Sequence, residues 1–517
     1  MEFVAGITIA SLVLVLILSL PYILGGFLGL RGVTKMKRIS GRQTHQRKLT
    51  GNANGALNSS PEVIIVGSGI MGSVMATVLA RDGRKVTVFE RDMRQPDRIV
   101  GETIHPGGIE TLAKLGLTDC LSGFGANRLD GMVIHDPNTK KPLDFQYPRD
   151  KTERIRVGYS FHYGRFVMSL RKAAMAENNV TYIEATVTNL LEEKHRIVGV
   201  EYKNKGEQTM NTLKAPLTVI ADGAFSNFRK QFSTLNDEIL TKPSSYFLGM
   251  RIKKTSDFKD NHIEGFWCNS IAGVSYRTCP ETVRLLALFG TNKPQNLQQL
   301  VMETIVPELP DHYKEVVGPA LEAGSVRLRL IPAYYIPSAP LLKPGIMLLG
   351  DALSSRSAIT GSGITSGLKD IQLWTDILKE MDSLDDDEAM AESLNWFQKK
   401  RRSSHALAIN VLAQCIQTVL LSKDRYLSKF RLGAFHYVMS GGECLDGPLR
   451  IFSCLEPRPG LLLYHFLRVN LYTAYYLLKS APWYAKPLAL LDGPLVFIRS
   501  SLMFFSLWFA ESKAVKN

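Results

Sequence analysis

The chain has 517 residues, 45% hydrophobic and 21% charged, with a net charge of +14. This composition excludes a disordered or collagen-like chain and leaves room for two or three folding units around at least one large core. Seven basic residues and no acid fall between Arg31 and Thr50, so half of the net charge sits in one short segment. No nucleic-acid partner is read from that charge, because a basic stretch directly after an apolar run is a membrane-topology signal.

The apolar run is Phe3–Leu30, which holds no Asp, Glu, Lys, Arg or His. As a helix it is long enough to cross a hydrocarbon core of about 30 Å. Glu2 precedes it and the positive charge follows it, the reverse of a cleaved signal peptide. Residues 1–30 are therefore expected to be a retained transmembrane anchor. Residues 31–60 read as a basic juxtamembrane segment and a polar linker (GNANGALNSS), with the rest of the chain on the cytosolic side. The six cysteines are scattered without a CxxC pair, which fits a reducing compartment and gives no zinc site.

The folded body opens with a β-branched run, Val63–Val66, followed by Gly67-Ser68-Gly69-Ile70-Met71-Gly72 and a helical pattern to Arg81. A second strand, Lys85–Phe89, ends at Glu90. A GxGxxG alone is weak. Placed after a strand, opening a helix, and followed by an acid at the end of the next strand, it is a dinucleotide-binding fingerprint. Gly67 allows the tight turn, Gly69 lets a pyrophosphate approach, and Gly72 lets helix and strand pack. Glu90 suits the ribose hydroxyls.

Two later segments choose between dinucleotides. Leu217–Ile220 runs into Ala221-Asp222-Gly223 and on to Ser226 and Arg229. Gly345–Leu349 runs into Gly350-Asp351-Ala352, after which Gly361-Ser362-Gly363 opens a helix to about Glu380. In this order the three motifs resemble the class A flavoprotein monooxygenases. That resemblance implies FAD, with Asp351 at the ribityl chain and the start of the following helix facing the flavin. No second strand–GxGxxG–helix unit follows, so no separate nicotinamide domain is expected.

A closer resemblance rests on Arg91-Asp92, Pro96–Glu102, Pro106-Gly107-Gly108, Gly164-Arg165-Phe166, Ser169–Ala174, Val411–Gln414, Gly441–Cys444 and Gly447-Pro448. With these, residues 61–484 resemble the squalene monooxygenases (squalene epoxidases). The resemblance implies FAD-dependent conversion of squalene to 2,3-oxidosqualene through a flavin C4a-hydroperoxide. It also implies electrons from NADPH by way of cytochrome P450 reductase, at the endoplasmic reticulum membrane. The implied cofactor contacts are Gly67, Gly69, Ile70, Met71, Gly72, Glu90, Arg91, Arg98, Thr103, Arg165, Val187, Asp222, Gly223, Asp351, Gly361, Gly363 and Ile364. No general acid or base and no metal ligand is expected.

The implied fold is α/β (α+β). A glutathione-reductase-like FAD domain (61–130, 155–235, 340–380) interleaves with a substrate domain containing a β-sheet (131–154, 236–339). A C-terminal helical region, 381–517, is expected to lie on the membrane through Leu461–Leu478 and Pro487–Phe509, with Asp382–Glu388 as a solvated connecting loop.

The chain departs from the family around the flavin. Ser357, Ala358 and Ser362 stand where the family has His, Pro and Gly, and the lost proline is expected to loosen that loop. In the substrate pocket, His105 and Met132 stand where the family has Gln and Tyr, so a polar contact between those two positions is expected to be missing. These changes leave open turnover of another lipid, or a non-catalytic FAD-binding membrane protein. A prenyl-lipid reductase on the same fold is a third possibility.

Overall fold

The computed structural model describes residues 60–135, 142–233, 235, 237–268, 271–339, 341 and 343–513. The expected anchor, the basic segment and the linker up to residue 59 lie outside the described residues.

Strand Val63–Val66 lies inside a seven-stranded sheet, next to its central strand, with all four residues buried. Parallel partners flank it on both sides, Val86–Glu90 and Leu217–Ile220, and Val180–Glu193 and Ile346–Leu348 continue the parallel array. Strands buried on both faces need continuous apolar runs, which VIIV and LTVI supply. Arg196–Asn204 and Asn211–Lys214 finish one edge antiparallel. The fingerprint helix Ile70–Arg81 packs against helices Tyr163–Met175 and Gly363–Lys379.

The second sheet also has seven strands. Its spatial order is Arg329–Ala333, Ser245–Lys253, Thr282–Phe289, Ile271–Cys279, His262–Cys268, Gly131–His135 and Leu143–Gln146. The chain enters it at Gly131, returns to the cofactor layer at Gly158, and crosses again before Ser245. One face buries Phe247, Ile263, Leu286 and Met132. The other is covered by helix Asp311–Glu322, whose Tyr313, Val317 and Leu321 join the core beneath it. This alternation is the two-residue period of a strand read on both faces.

Helices form the remaining layer. Asp387–Arg401 runs through a π-helical turn at Arg402–Ala406 into Leu407–Leu421. At that turn His405 Nε2 lies 2.9 Å and Arg401 Nε 2.7 Å from Oδ1 of the buried Asp370. The acidic run at 382–388 is only half loop: Asp386 caps the helix by accepting from Ala389 N–H, and Asp387 and Glu388 form its first turn. Arg196 explains the difference, since it pairs with Asp387 and donates to the carbonyls of Leu384 and Asp385. The last helices span Pro459–Ser480 and Lys486–Lys513, longer at both ends than the apolar runs suggest.

The polar residues that interrupt those runs have partners within the bundle. Asp492 pairs with Lys429 and Arg425, and Arg499 with Asp424. His465 Nδ1 meets Tyr437 Oη at 2.9 Å, and Ser500 donates to Asn470 at 2.7 Å. Two helical stretches among the described residues, Asp387–Leu421 and Trp483–Ser512, are long and apolar enough to cross a membrane by length and composition, and the first is mostly buried.

Candidate active site

The three glycines of the fingerprint divide their work. A Cβ on Gly67, where φ is +98°, would sit 2.6 Å from the Ala221 carbonyl oxygen, and one on Gly72 would sit 1.9 Å from that of Gly67. Those two glycines let the chain pack on itself. At Gly69 the nearest atom would be Tyr163 Oη at 3.8 Å, so this glycine leaves space for something else. Glu90 Oε2 accepts from Ser68 N–H at 2.8 Å and Oε1 from Asp92 N–H at 3.1 Å. Buried Arg171 lies 3.1 Å from Glu90 and donates to the carbonyls of Ser68 and Met93. It pins the fingerprint loop to the acid. The sequence carries Arg171 only as part of a family motif, with no role attached.

The Asp-Gly and Gly-Asp-Ala turns are tied together in the same way. Buried Arg229 donates to the carbonyls of Ala224, Asp351 and Ala352 at 3.0, 2.5 and 3.0 Å. Asp222 Oδ2 accepts from Asn227 N–H, while its Oδ1 is buried without a hydrogen-bond partner. Burial pushes this carboxyl above the usual range. Asp351 faces Arg98 at 3.6 Å, and the Arg98 guanidinium lies 5.6 Å from the centre of the Tyr163 ring.

These turns open on one cavity. Gly69, Ile70, Met71, Arg98, Thr103, Gly223, Asp351, Gly361, Gly363 and Ile364 line its cofactor side. Met132, Phe247, Ile263, Val274, Leu286, Ile331 and Phe452 supply an apolar far side. Gly67, Gly72, Glu90 and Asp222 stand behind the wall. Arg91, Arg165 and Val187 do not line the cavity. Arg91 and Arg165 are exposed, with Arg165 donating to the Phe124 carbonyl, and Val187 lies in the core of the first domain.

The residues fit FAD. Two helices begin at the cavity, at Ile70 and at Gly363, and neither has a side-chain cap, so their first N–H groups are available to anionic groups. The open space over Gly69 adds a place of approach.

The substituted loop makes hydrogen bonds of its own. Ser357 Oγ accepts from Ile359 N–H and starts a single 3₁₀ turn, Ala358–Thr360. Thr360 and Ser362 hydroxyls meet at 2.9 Å, and Ser362 sits at φ −84°, where a Cβ costs nothing. Paired backbone bonds between Ser355 and Ile336 fasten the loop to the second domain.

The expected missing polar contact is replaced. His105, 1% exposed, places Nδ1 3.1 Å from Tyr147 Oη and Nε2 2.5 Å from the Thr360 carbonyl oxygen. A carbonyl only accepts, so Nε2 carries the proton and Nδ1 accepts from Tyr147. Burial pulls the imidazole down to about 4, against the opposing bond to Thr360. Tyr147 was missed from the sequence because its neighbours mark it as nothing more than strand end.

A Rossmann-type sheet joined to a mostly antiparallel second sheet, with two uncapped helix starts facing an apolar wall, defines the fold of the FAD-dependent monooxygenases. A probable FAD-dependent monooxygenase from Pseudomonas aeruginosa, PqsL, superposes with a TM-score of 0.56 at 19% identity, covering 70% of this chain and 95% of that one. A flavin-dependent brominase gives 0.62 at 14%, covering 80% and 99%. These likenesses establish the fold.

Sequence comparison goes further. A NAD(P)-binding Rossmann-like model matches residues 65–95, and the squalene epoxidase model matches residues 214–491. The squalene monooxygenase of Mus musculus is 42% identical over 468 residues, 90% of this chain and 81% of its own length. The squalene epoxidase erg1 of Schizosaccharomyces pombe is 34% identical over 453 residues, 86% and 96%. The chain belongs to the squalene epoxidase family.

Proposed function

We propose that this chain epoxidises squalene to 2,3-oxidosqualene in sterol biosynthesis, with FAD as cofactor and NADPH as the ultimate reductant. When bound and reduced, FAD would supply the activation of dioxygen that an epoxidation needs. The carrying observation is the cavity itself, lined by cofactor turns on one side and by hydrocarbon side chains on the other. The uncapped starts of the helices at Ile70 and Gly363 would hold anionic parts of the cofactor. Asp351 and Arg98 would bind its polar middle. Met132, Phe247, Ile263 and Phe452 exclude water and orient an alkene. Tyr147, His105 and the Thr360 carbonyl form a fixed polar strut where the two walls meet.

A partner reductase, NADPH–cytochrome P450 reductase by family resemblance, would deliver the electrons, since the Rossmann-like match falls on the one fingerprint described. The last two helices support a membrane-facing surface at the endoplasmic reticulum, with the body in the cytosol. Trp483, Tyr484, Leu488, Leu491 and Leu502 are each more than half exposed. Contiguous apolar surface rimmed by aromatic residues suits one leaflet.

The test is a product assay. Detergent-solubilised protein loaded with FAD receives squalene, NADPH and P450 reductase, with and without oxygen. Oxidosqualene formed only with oxygen supports the reading. Bound FAD with no oxidised product from squalene overturns it.

A further inference from the structure

On the face of the second sheet turned away from the cavity, three side chains from distant parts of the chain converge. His135 closes strand Gly131–His135, Glu264 lies on strand His262–Cys268, and His312 is in the first turn of helix Asp311–Glu322. Met132 and Ile263 line the cavity, so His135 and Glu264, at odd offsets from them, point to the opposite side. The potential ligand atoms of all three lie within 4.8 Å of one another.

From the geometry we infer that His135, Glu264 and His312 form a binding site for a divalent transition-metal ion, zinc being the ion that this donor set suits. Both imidazole Nε2 atoms lie 3.2 Å from the same oxygen, Glu264 Oε2. A charge-assisted imidazole–carboxylate hydrogen bond is about 2.7–2.9 Å. Ligand atoms about 2.0–2.1 Å from a tetrahedral zinc ion are separated by about 3.3 Å. The 3.2 Å found is at the long end of the hydrogen-bond range and close to such a polyhedron edge. Two imidazoles and a carboxylate are a common zinc ligand set, leaving a position for water.

The surroundings are those of a supported site. Glu264 is 1% exposed. Its Oε2 also accepts from Tyr313 Oη at 2.9 Å, and its Oε1 from Lys259 N–H at 3.0 Å. Ser275 meets the Tyr313 hydroxyl at 2.5 Å and orients it. Ligating carboxylates need such outer hydrogen bonds to hold their direction. The Lys259 ammonium is engaged by Asp144, which also lies 3.5 Å from His262, so this nearby cation is held away from the three ligands. The two histidines remain partly exposed, which gives an ion a way in. An ion held here clamps two strands and a helix on the outer side of the substrate layer.

The test uses the full chain in detergent with any affinity tag removed. Zinc chloride is added, excess is dialysed away, and bound metal is counted by mass spectrometry beside a thermal unfolding scan. The expected result is one equivalent per chain and a saturable rise in the unfolding midpoint that a chelator reverses. His135→Gln and His312→Gln should each lose the bound zinc and the rise. Their FAD absorbance and circular dichroism report whether they remain folded. Tyr313→Phe keeps all three ligands and should weaken zinc binding about 10- to 100-fold. A folded wild-type chain with no retained zinc and no midpoint shift overturns the site, as does equal retention by the folded histidine variants.

Discussion

The guanidinium of Arg284 grips the carboxylate of Glu102 with two bonds, Nε to Oε2 at 2.8 Å and Nη2 to Oε1 at 3.2 Å, in a setting closed to solvent. Glu102 belongs to the cofactor layer and Arg284 to the substrate sheet, so the pair is a buried ionic joint between the two sheets. Tyr276 adds a third donor at 3.3 Å. Arg284→Met leaves a buried carboxylate unpaired and should cost about 3–5 kcal/mol, whereas Glu102→Gln with Arg284→Met should cost clearly less. Unfolding midpoints for the two singles and the double, read as a double-mutant cycle, check this. Independent, additive losses would refute the joint.

Gly361 sits at φ +63°, and a Cβ there would lie 2.7 Å from Thr103 Oγ1. Gly361→Ala should therefore disturb the start of the helix at Gly363, which we assign to the cofactor. The expected outcome is a folded protein that retains FAD poorly, seen as a lower flavin-to-protein absorbance ratio after gel filtration. The left-handed conformation itself costs about 1–2 kcal/mol for a non-glycine residue, so global stability should fall only modestly. Undiminished FAD retention would remove this loop from the binding site.

His105 makes stability depend on pH with a defined sign. Its imidazole is held at about 4 by burial, against an ordinary value of 6.5. Between those values the unfolded chain takes up a proton that the folded chain refuses. The contribution is complete above pH 6.5, is lost as the pH falls towards 4, and is flat below that. The loss approaches about 3 kcal/mol. Thermal midpoints measured from pH 7 to 4.5 should fall more steeply for the wild type than for His105→Gln. Parallel curves would show that the histidine does not titrate this way.

The exposed ridge on the last helices gives a prediction about partition. Changing Leu488, Leu491 and Leu502 to Glu together should leave FAD content unchanged and reduce co-flotation with liposomes for a chain lacking residues 1–30. Unchanged flotation would mean that the ridge is not a membrane surface.

Much of the cofactor half was legible because its chemistry is local. The fingerprint from Val63 to Glu90 keeps strand, turn, helix and acid within one short stretch, and period and glycine spacing announce it. The Gly-Asp-Ala turn at Asp351 reads the same way. Partnerships across distant segments were not legible. Arg171 on Glu90, Tyr147 on His105 and the His135–Glu264–His312 cluster each depend on how sheets stack, which no spacing encodes. The loop at Ser357 shows a different limit. Its lost proline suggests looseness, but a serine hydroxyl can hydrogen-bond the same backbone, and only the geometry shows that it does. The acidic run at 382–388 is solvated as read but is not all loop, since Asp386 caps a helix whose first turn holds Asp387 and Glu388, and Asp387 also pairs with Arg196.

Phe452 closes the cavity from beside His105, their rings 5.1 Å apart, and the carbonyl of Ser453 accepts from Gly107 N–H at 3.0 Å. The wall is thus finished by a part of the chain made long after the cofactor turns. During synthesis, a nascent chain that has passed Ile364 but not reached Phe452 has the turns but not the enclosure. The reaction chamber is complete only once residue 452 has been made, so premature termination before that residue would yield an open apolar trough in place of a slower enzyme.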